Sequence, residues 1–218
     1  RRRPRRNTCC MPVPAGTVPG MTDAPSGGWV LLLAQLPASP SSPRVTLWRR
    51  ARAAGAVGLQ NGAWVLPATD EHRTFLEGLA TYVRESGGTA YALDVAAGSS
   101  DDGIVARIRA ERGKEFAEFT ERGDALLAEL EKESSRDNYS FAELEENEQD
   151  LERLTRWLAT ISSRDFFPDE RGKDAEALLD RCRRALDAFT AAVYRAEGVA
   201  PPGPPPPRPP PPPPPPPP

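Results

Sequence analysis

The chain has 218 residues, 26 of them proline, and 16 of those prolines fall in the last 18 positions, so less of it can fold than its length implies. Its formal charge of −3 becomes −9 once Arg208 and the five arginines of residues 1–20 are set aside, leaving 22 basic against 31 acidic residues, which argues against a general nucleic-acid coat. The longest apolar run, residues 29–34, is far below the roughly 20 residues a membrane-spanning helix needs, so no membrane partner is expected.

Residues 1–28 read as a disordered Arg/Pro-rich head, with Met21 as the expected natural start. The arginine-rich beginning runs into proline and glycine in place of an apolar signal core. Cys9, Cys10 and Cys182 give no paired framework and no metal-ligand spacing. A cytoplasmic protein without metal or cofactor is the expectation.

Trp29 to Leu36, closed by Pro37, predicts a buried strand. Ser42 as N-cap, Pro43 in the first turn and Leu47, Ala51 and Ala54 at helical spacing predict a helix ended by Gly55. Residues 56–60 and 63–66 flank Asn61-Gly62, the pair favoured in a type I′ hairpin because both central positions need positive φ. A helix capped by Thr69 or Asp70 carries Phe75, Leu76, Leu79, Tyr82 and Val83, and Gly87-Gly88 separates it from a strand over residues 89–95.

The order strand, helix, hairpin, helix, strand predicts an α+β fold: a ferredoxin-like βαββαβ sandwich over residues 29–100. Three further helices are expected in residues 101–198, packed as an antiparallel helical region. The first follows caps at Asp101 or Asp102 and is interrupted by Gly113 and Gly123; the second opens with the capping-box form Ser140-Phe-Ala-Glu143; the third carries Leu178, Cys182, Leu186 and Phe189 and stops at Gly198. Residues 199–218 read as a polyproline tail, either a preformed polyproline II ligand or a low-complexity end.

The two halves differ in charge. Residues 22–110 hold eight basic and eight acidic side chains, whereas residues 111–198 hold 14 and 23. The acidic helices are either a solvated face or a docking surface for a basic partner.

No catalytic constellation emerges. His72 stands alone, Cys182 sits on an apolar stripe, and Asp94 and Asp165 are isolated carboxylates suited to capping. Neither a glycine-rich phosphate loop nor zinc-ligand spacing occurs. A non-enzyme is therefore expected. The one basic cluster is Arg44, Arg49, Arg50 and Arg52 with Trp48 interleaved, a candidate DNA or oxyanion contact, with a solvated helix face as the alternative.

Several pieces together resemble the amino-terminal domain of the chromate-resistance regulator ChrB: Trp29-Val-Leu-Leu-Leu with Leu36-Pro37, Arg44-Val-x-x-Trp48-Arg49, Gly55-Ala56, Gly62-x-x-x-Leu66-Pro67, Trp157-Leu and Arg164-Asp-Phe-Phe167. The resemblance spans about residues 29–198. The first half is also similar, at the level of fold, to the ferredoxin-like domain of phenylacetate-type repressors and of small CRISPR-associated nucleases.

The resemblance implies a bacterial regulatory or accessory domain controlling a chromate efflux operon, with operator DNA and chromate as partners; sulfate is a further oxyanion that the arginine cluster could take. The full regulator continues into a second domain, where this sequence runs into proline. A separate carboxyl-terminal partner domain docked on the acidic helices, or a homodimer, is the alternative set of partners, and a nuclease or detoxifying enzyme is the remaining rival.

Overall fold

The computed structural model describes residues 27–200. The Met21 start, nearly all of the arginine-rich head and the polyproline segment from residue 201 onward lie outside the described residues. Within them the protein is a mixed α+β structure with a four-stranded antiparallel sheet and five helices. In chain order these are β1 (Trp29–Gln35), α1 (Ser42–Ala53), β2 (Val57–Gln60), β3 (Ala63–Pro67), α2 (Asp70–Glu85), β4 (Thr89–Val95), α3 (Asp101–Ser135), α4 (Phe141–Ser162) and α5 (Glu170–Ala196). Among the described residues no helix is long and apolar enough to cross a membrane.

The chain divides into two compact units. One holds the described residues up to Arg49 with Gly58–Ala106, the other Arg50–Val57 with the residues from Arg107 onward. The division falls inside α1 and α3. The first turn of α3 belongs with the sheet because the Trp29 indole Nε1 donates to Asp101 Oδ1 at 2.8 Å.

In the first unit the strand order is β2-β3-β1-β4, and β1 is antiparallel to both neighbours, with Leu31 opposite Val65 on one side and Leu93 on the other. Val30, Leu32, Leu66 and Ala90 are buried, as is the α2 stripe Leu76, Leu79, Ala80 and Val83, whose spacing puts it on one helix face. The alternate β-positions Leu33, Tyr91, Leu93 and Val95 share the opposite side of the sheet and are exposed.

The local signals worked with three corrections. The Asn61-Gly62 hairpin is present, but among the described residues Asp137 is the only non-glycine residue with positive φ, so the turn is not type I′. Gly62 alone takes positive φ, at 77°, and a Cβ there would collide with the Ala34 carbonyl oxygen. Close approach of the turn to β1, where Ala34 N–H donates to the Gly62 carbonyl at 2.7 Å, fixes the turn instead.

α1 begins at Ser42 itself, and the Val45 N–H donates to the Ser41 carbonyl at 3.2 Å, so the first turn starts one residue before the predicted cap allows. Asp101 faces backwards: its carboxylate accepts from the Gly98 N–H at 2.9 Å and from Trp29 rather than from the amides of α3. Thr69 and Ser140 do cap α2 and α4, accepting from His72 N–H at 3.1 Å and Glu143 N–H at 3.3 Å.

The second unit is held by one cluster drawn from α3, α4 and α5, including Phe119, Leu130, Leu158, Ile161, Cys182 and Val193. Gly113 and Gly123, two of the three glycines in α3, serve this packing. Side chains of α5 occupy the space a Cβ would need: the Arg171 guanidinium at Gly113, and Leu178 Cδ2, which would lie 2.7 Å away, at Gly123.

Candidate functional site

α1 presents its four arginines in different surroundings. At 100° per residue, Arg44, Trp48 and Arg52 form one row along a flank of the helix, Arg49 points away from the buried Leu47 and Ala51, and Arg50 lies on the other flank. Arg44 Nη2 donates to the Ala38 carbonyl at 2.6 Å, Arg49 and Arg50 are exposed, and Arg52 is partly buried. The four side chains therefore do not form one patch.

Arg52 points into an ionic cluster of the second unit. Its Nη1 meets Glu111 Oε2 at 3.3 Å and its Nη2 lies 4.0 Å from Glu115 Oε1. Arg112 reaches the same Glu115 carboxylate at 3.2 Å, and Arg164 does so at 2.8 Å. Three guanidiniums thus converge on one carboxylate. The Arg112 side chain is only 3 % exposed, and its Nε is the single buried side-chain nitrogen or oxygen among the described residues without a hydrogen-bond partner.

Burial pulls the Arg112 guanidinium below its ordinary pKa, opposed by the neighbouring Glu115 charge. Glu111 is held below the usual carboxylate range, chiefly by its hydrogen bond from Lys114. Nearby, Asp169 caps α5 and binds the Arg171 guanidinium, which holds it low, while Asp165 is pushed up, chiefly by burial and further by the Asp169 charge.

Sequence reading found Arg52 but missed Arg112, Glu115 and Arg164 as its companions. A signal existed: Arg112 lies midway between Ile108 and Phe116 on the buried stripe of α3, and a charge inside an apolar stripe has to be accounted for.

The isolated groups have structural partners. Asp94 accepts from Arg73 Nε at 2.7 Å, His72 Nδ1 donates to the Pro67 carbonyl at 2.7 Å, and Cys182 is fully buried with its thiol donating to the Gly123 carbonyl at 3.4 Å. Burial pushes that thiol up, away from nucleophilic use.

The sequence model of the family described as "Protein ChrB, N-terminal" matches residues 44–200, from Arg44 through all of the clustered arginines. The chain belongs to this ChrB amino-terminal family. Protein ChrB of Cupriavidus metallidurans is 32 % identical over 169 residues, which cover 77 % of this chain and 49 % of that protein. The chain thus spans about half the length of the curated relative it matches. Of the sequence pieces that carried the resemblance, Arg164-Asp-Phe-Phe167 supplies the guanidinium on Glu115 and the carboxylate raised by burial.

Proposed function

We propose that this chain is the regulatory domain of a chromate-resistance system, acting in the cytoplasm by binding and not by catalysis, with Arg49 and Arg50 on operator DNA. The observation carrying this reading is that α1 holds both Arg49 and Arg50 exposed, Arg49 on the side of the helix opposite the buried Leu47 and Ala51. Membership of the ChrB amino-terminal family supports the regulatory part. In this reading the first unit is a ferredoxin-like sandwich, consistent with its β2-β3-β1-β4 order, and α3, α4 and α5 form an antiparallel helical region.

The test is fluorescence anisotropy of the full chain on labelled DNA from its own upstream region, across a salt series, with and without chromate. Specific binding that chromate releases establishes a repressor; binding equal to that on unrelated DNA removes the reading.

A second reading is favoured by the buried, partnerless Nε of Arg112. Chromate or sulfate would compete with Glu115 for the three guanidiniums, since a tetrahedral oxyanion offers them the same acceptors. The acidic helices, with 23 acidic against 14 basic side chains over residues 111–198, support a partner as well, a separate carboxyl-terminal domain docked on them. Chromate that raises the thermal stability of Glu115→Ala more than that of the native chain, because the competing carboxylate is gone, would establish the anion site.

A further inference from the structure

In the strand order β2-β3-β1-β4, no described strand lies beyond β4. The Ala34 N–H donates toward the β2–β3 hairpin, so residues 34, 32 and 30 of β1 bond to the β3 side and residues 35, 33, 31 and 29 bond to β4. Their partners Thr89, Tyr91, Leu93 and Val95 therefore turn their N–H and C=O groups to β1, and Ala90, Ala92 and Asp94 turn theirs outward. The Arg84 guanidinium, donating to the Ala90 carbonyl at 3.0 Å, stands on this open edge.

Strand edges are generally blunted by lysine, proline or a bulge. Residues 89–95 hold neither lysine nor proline, and their pairing with β1 is one-to-one from end to end, without a bulge. Their single charge, Asp94, accepts from Arg73 through Oδ1. A groove of about 360 Å³ runs between this edge and α2, lined by Glu77, Thr81 and Arg84 of the helix and the small Ala90 and Ala92 of the strand. On the other face of the sheet Tyr91 is 59 % exposed, beside the exposed Leu33, Leu93 and Val95. An open edge with a recess on one face and apolar side chains on the other takes a further strand by backbone pairing.

The strand that complements this edge is β4 itself. A two-fold axis at Ala92 pairs β4 antiparallel with β4 of a second copy and sets Ala92 opposite its counterpart. Ala90 then stands opposite Asp94 of the second copy, Tyr91 opposite its Leu93 and Thr89 opposite its Val95, pairs that join an aromatic ring to an aliphatic side chain and put no like charges face to face. The charges also match. Arg84 sits on the Ala90 carbonyl and so comes beside Asp94 of the second copy, whose bond to Arg73 uses Oδ1 and leaves Oδ2, and the axis repeats this contact on the other side. We infer that two copies of this chain join edge to edge through β4, in the register centred on Ala92, to form one continuous sheet.

Sedimentation equilibrium of the full chain over a concentration series is expected to show a monomer–dimer equilibrium. Ala92→Pro should weaken the dimer at least about ten-fold, because both bonds of the central pair are lost while the Ala92 N–H has no part in the ladder with β1. Arg84→Ala should weaken it about three-fold and reduce its sensitivity to salt, and Lys173→Ala on α5 should leave it unchanged. Circular dichroism confirms that each variant is folded. The register has its own readout, which needs no disruption of the edge. With Cys9→Ser and Cys10→Ser, and Cys182 buried, Ala92→Cys should cross-link into a dimer under mild oxidation, since directly opposite residues of a hydrogen-bonded pair lie about 5.5 Å apart between Cα atoms, within disulfide reach. Ala90→Cys, opposite Asp94 of the second copy, should not. A chain that stays monomeric throughout the series, a dimer indifferent to Ala92→Pro, or cross-linking of Ala90→Cys as fast as that of Ala92→Cys overturns the inference.

Discussion

The Arg164 guanidinium donates to Glu115 Oε2 at 2.8 Å, and both side chains are about 15 % exposed. The same guanidinium donates through Nη1 to the Arg52 carbonyl at 3.2 Å and through Nε to the Thr160 carbonyl at 3.1 Å. One side chain thus ties the end of α4, the end of α1 and the middle of α3 within the second unit. Arg164→Ala should destabilise by about 2–3 kcal/mol, because the charged hydrogen bond to the part-buried Glu115 is lost, while the Thr160 and Arg52 carbonyls keep Ser163 Oγ and the Gly55 N–H as donors. Arg164→Lys should recover little, since one ammonium cannot reproduce the planar fork. Arg156, in an exposed pair with Glu152 at 3.9 Å, is the control whose replacement by alanine should leave the urea midpoint unmoved.

Asp165 allows a pH test. Burial, with the Asp169 charge, raises its pKa above the ordinary 3.8, against the Phe167 N–H and the Arg171 and Arg112 charges that lower it. Between 3.8 and that raised value the native state binds more protons than the unfolded chain, so stability contributed by this group falls as pH rises. Asp165→Asn keeps an acceptor for the Phe167 N–H and removes the ionisation. The variant should be more stable than the native chain at pH 7, and the difference should vanish below the unfolded pKa. A thermal midpoint difference that is constant from pH 7 to pH 3 would falsify this account.

Element identity was legible because the periods were clean. The α2 stripe Leu76, Leu79, Ala80 and Val83 is buried as its spacing implies, and Thr69, Ser140, Gly87 and Gly198 act where local chemistry puts them. Features depending on what meets what across the chain were not legible. Asn61-Gly62 carries a strong local preference for one turn type, yet approach to Ala34 decides the geometry. Nothing in the run Arg49-Arg50-Ala51-Arg52 tells that Arg52 reaches Glu111 and Glu115 in space. Gly113 and Gly123 read as helix defects until the side chains of Arg171 and Leu178 are seen to occupy the room they leave.

If Arg49 and Arg50 contact phosphates, each contact releases a counterion, and the log K against log salt slope changes by about 0.9 per phosphate. The double variant Arg49→Ala with Arg50→Ala should therefore flatten the slope by about two and weaken binding uniformly across sequences. Arg52→Ala separates the roles. It should lower the urea midpoint, through loss of the contacts with Glu111 and Glu115, while leaving the salt slope of the folded protein within error. An unchanged slope in the double variant, measured by anisotropy between about 50 and 200 mM salt, takes α1 out of the DNA contact.

Gly62 and Gly87 share nearly the same backbone, at φ 77° and 78°, but differ in surroundings. A Cβ at Gly87 meets nothing within 4 Å, so Gly87→Ala should cost only the left-handed conformation, about 1–2 kcal/mol. At Gly62 the new carbon collides with the Ala34 carbonyl oxygen, and relief requires moving the turn off β1 and breaking the Ala34 to Gly62 hydrogen bond. Gly62→Ala should therefore cost at least about 3 kcal/mol, the sum of strain and a lost ladder bond. Asn61→Gly completes the set: with negative φ at Asn61, glycine relieves no strain and should destabilise by about 0.5–1 kcal/mol through backbone entropy. A type I′ turn would make that replacement neutral or stabilising, so urea midpoints of the three variants decide between close approach and turn preference as the reason the hairpin needs glycine at 62.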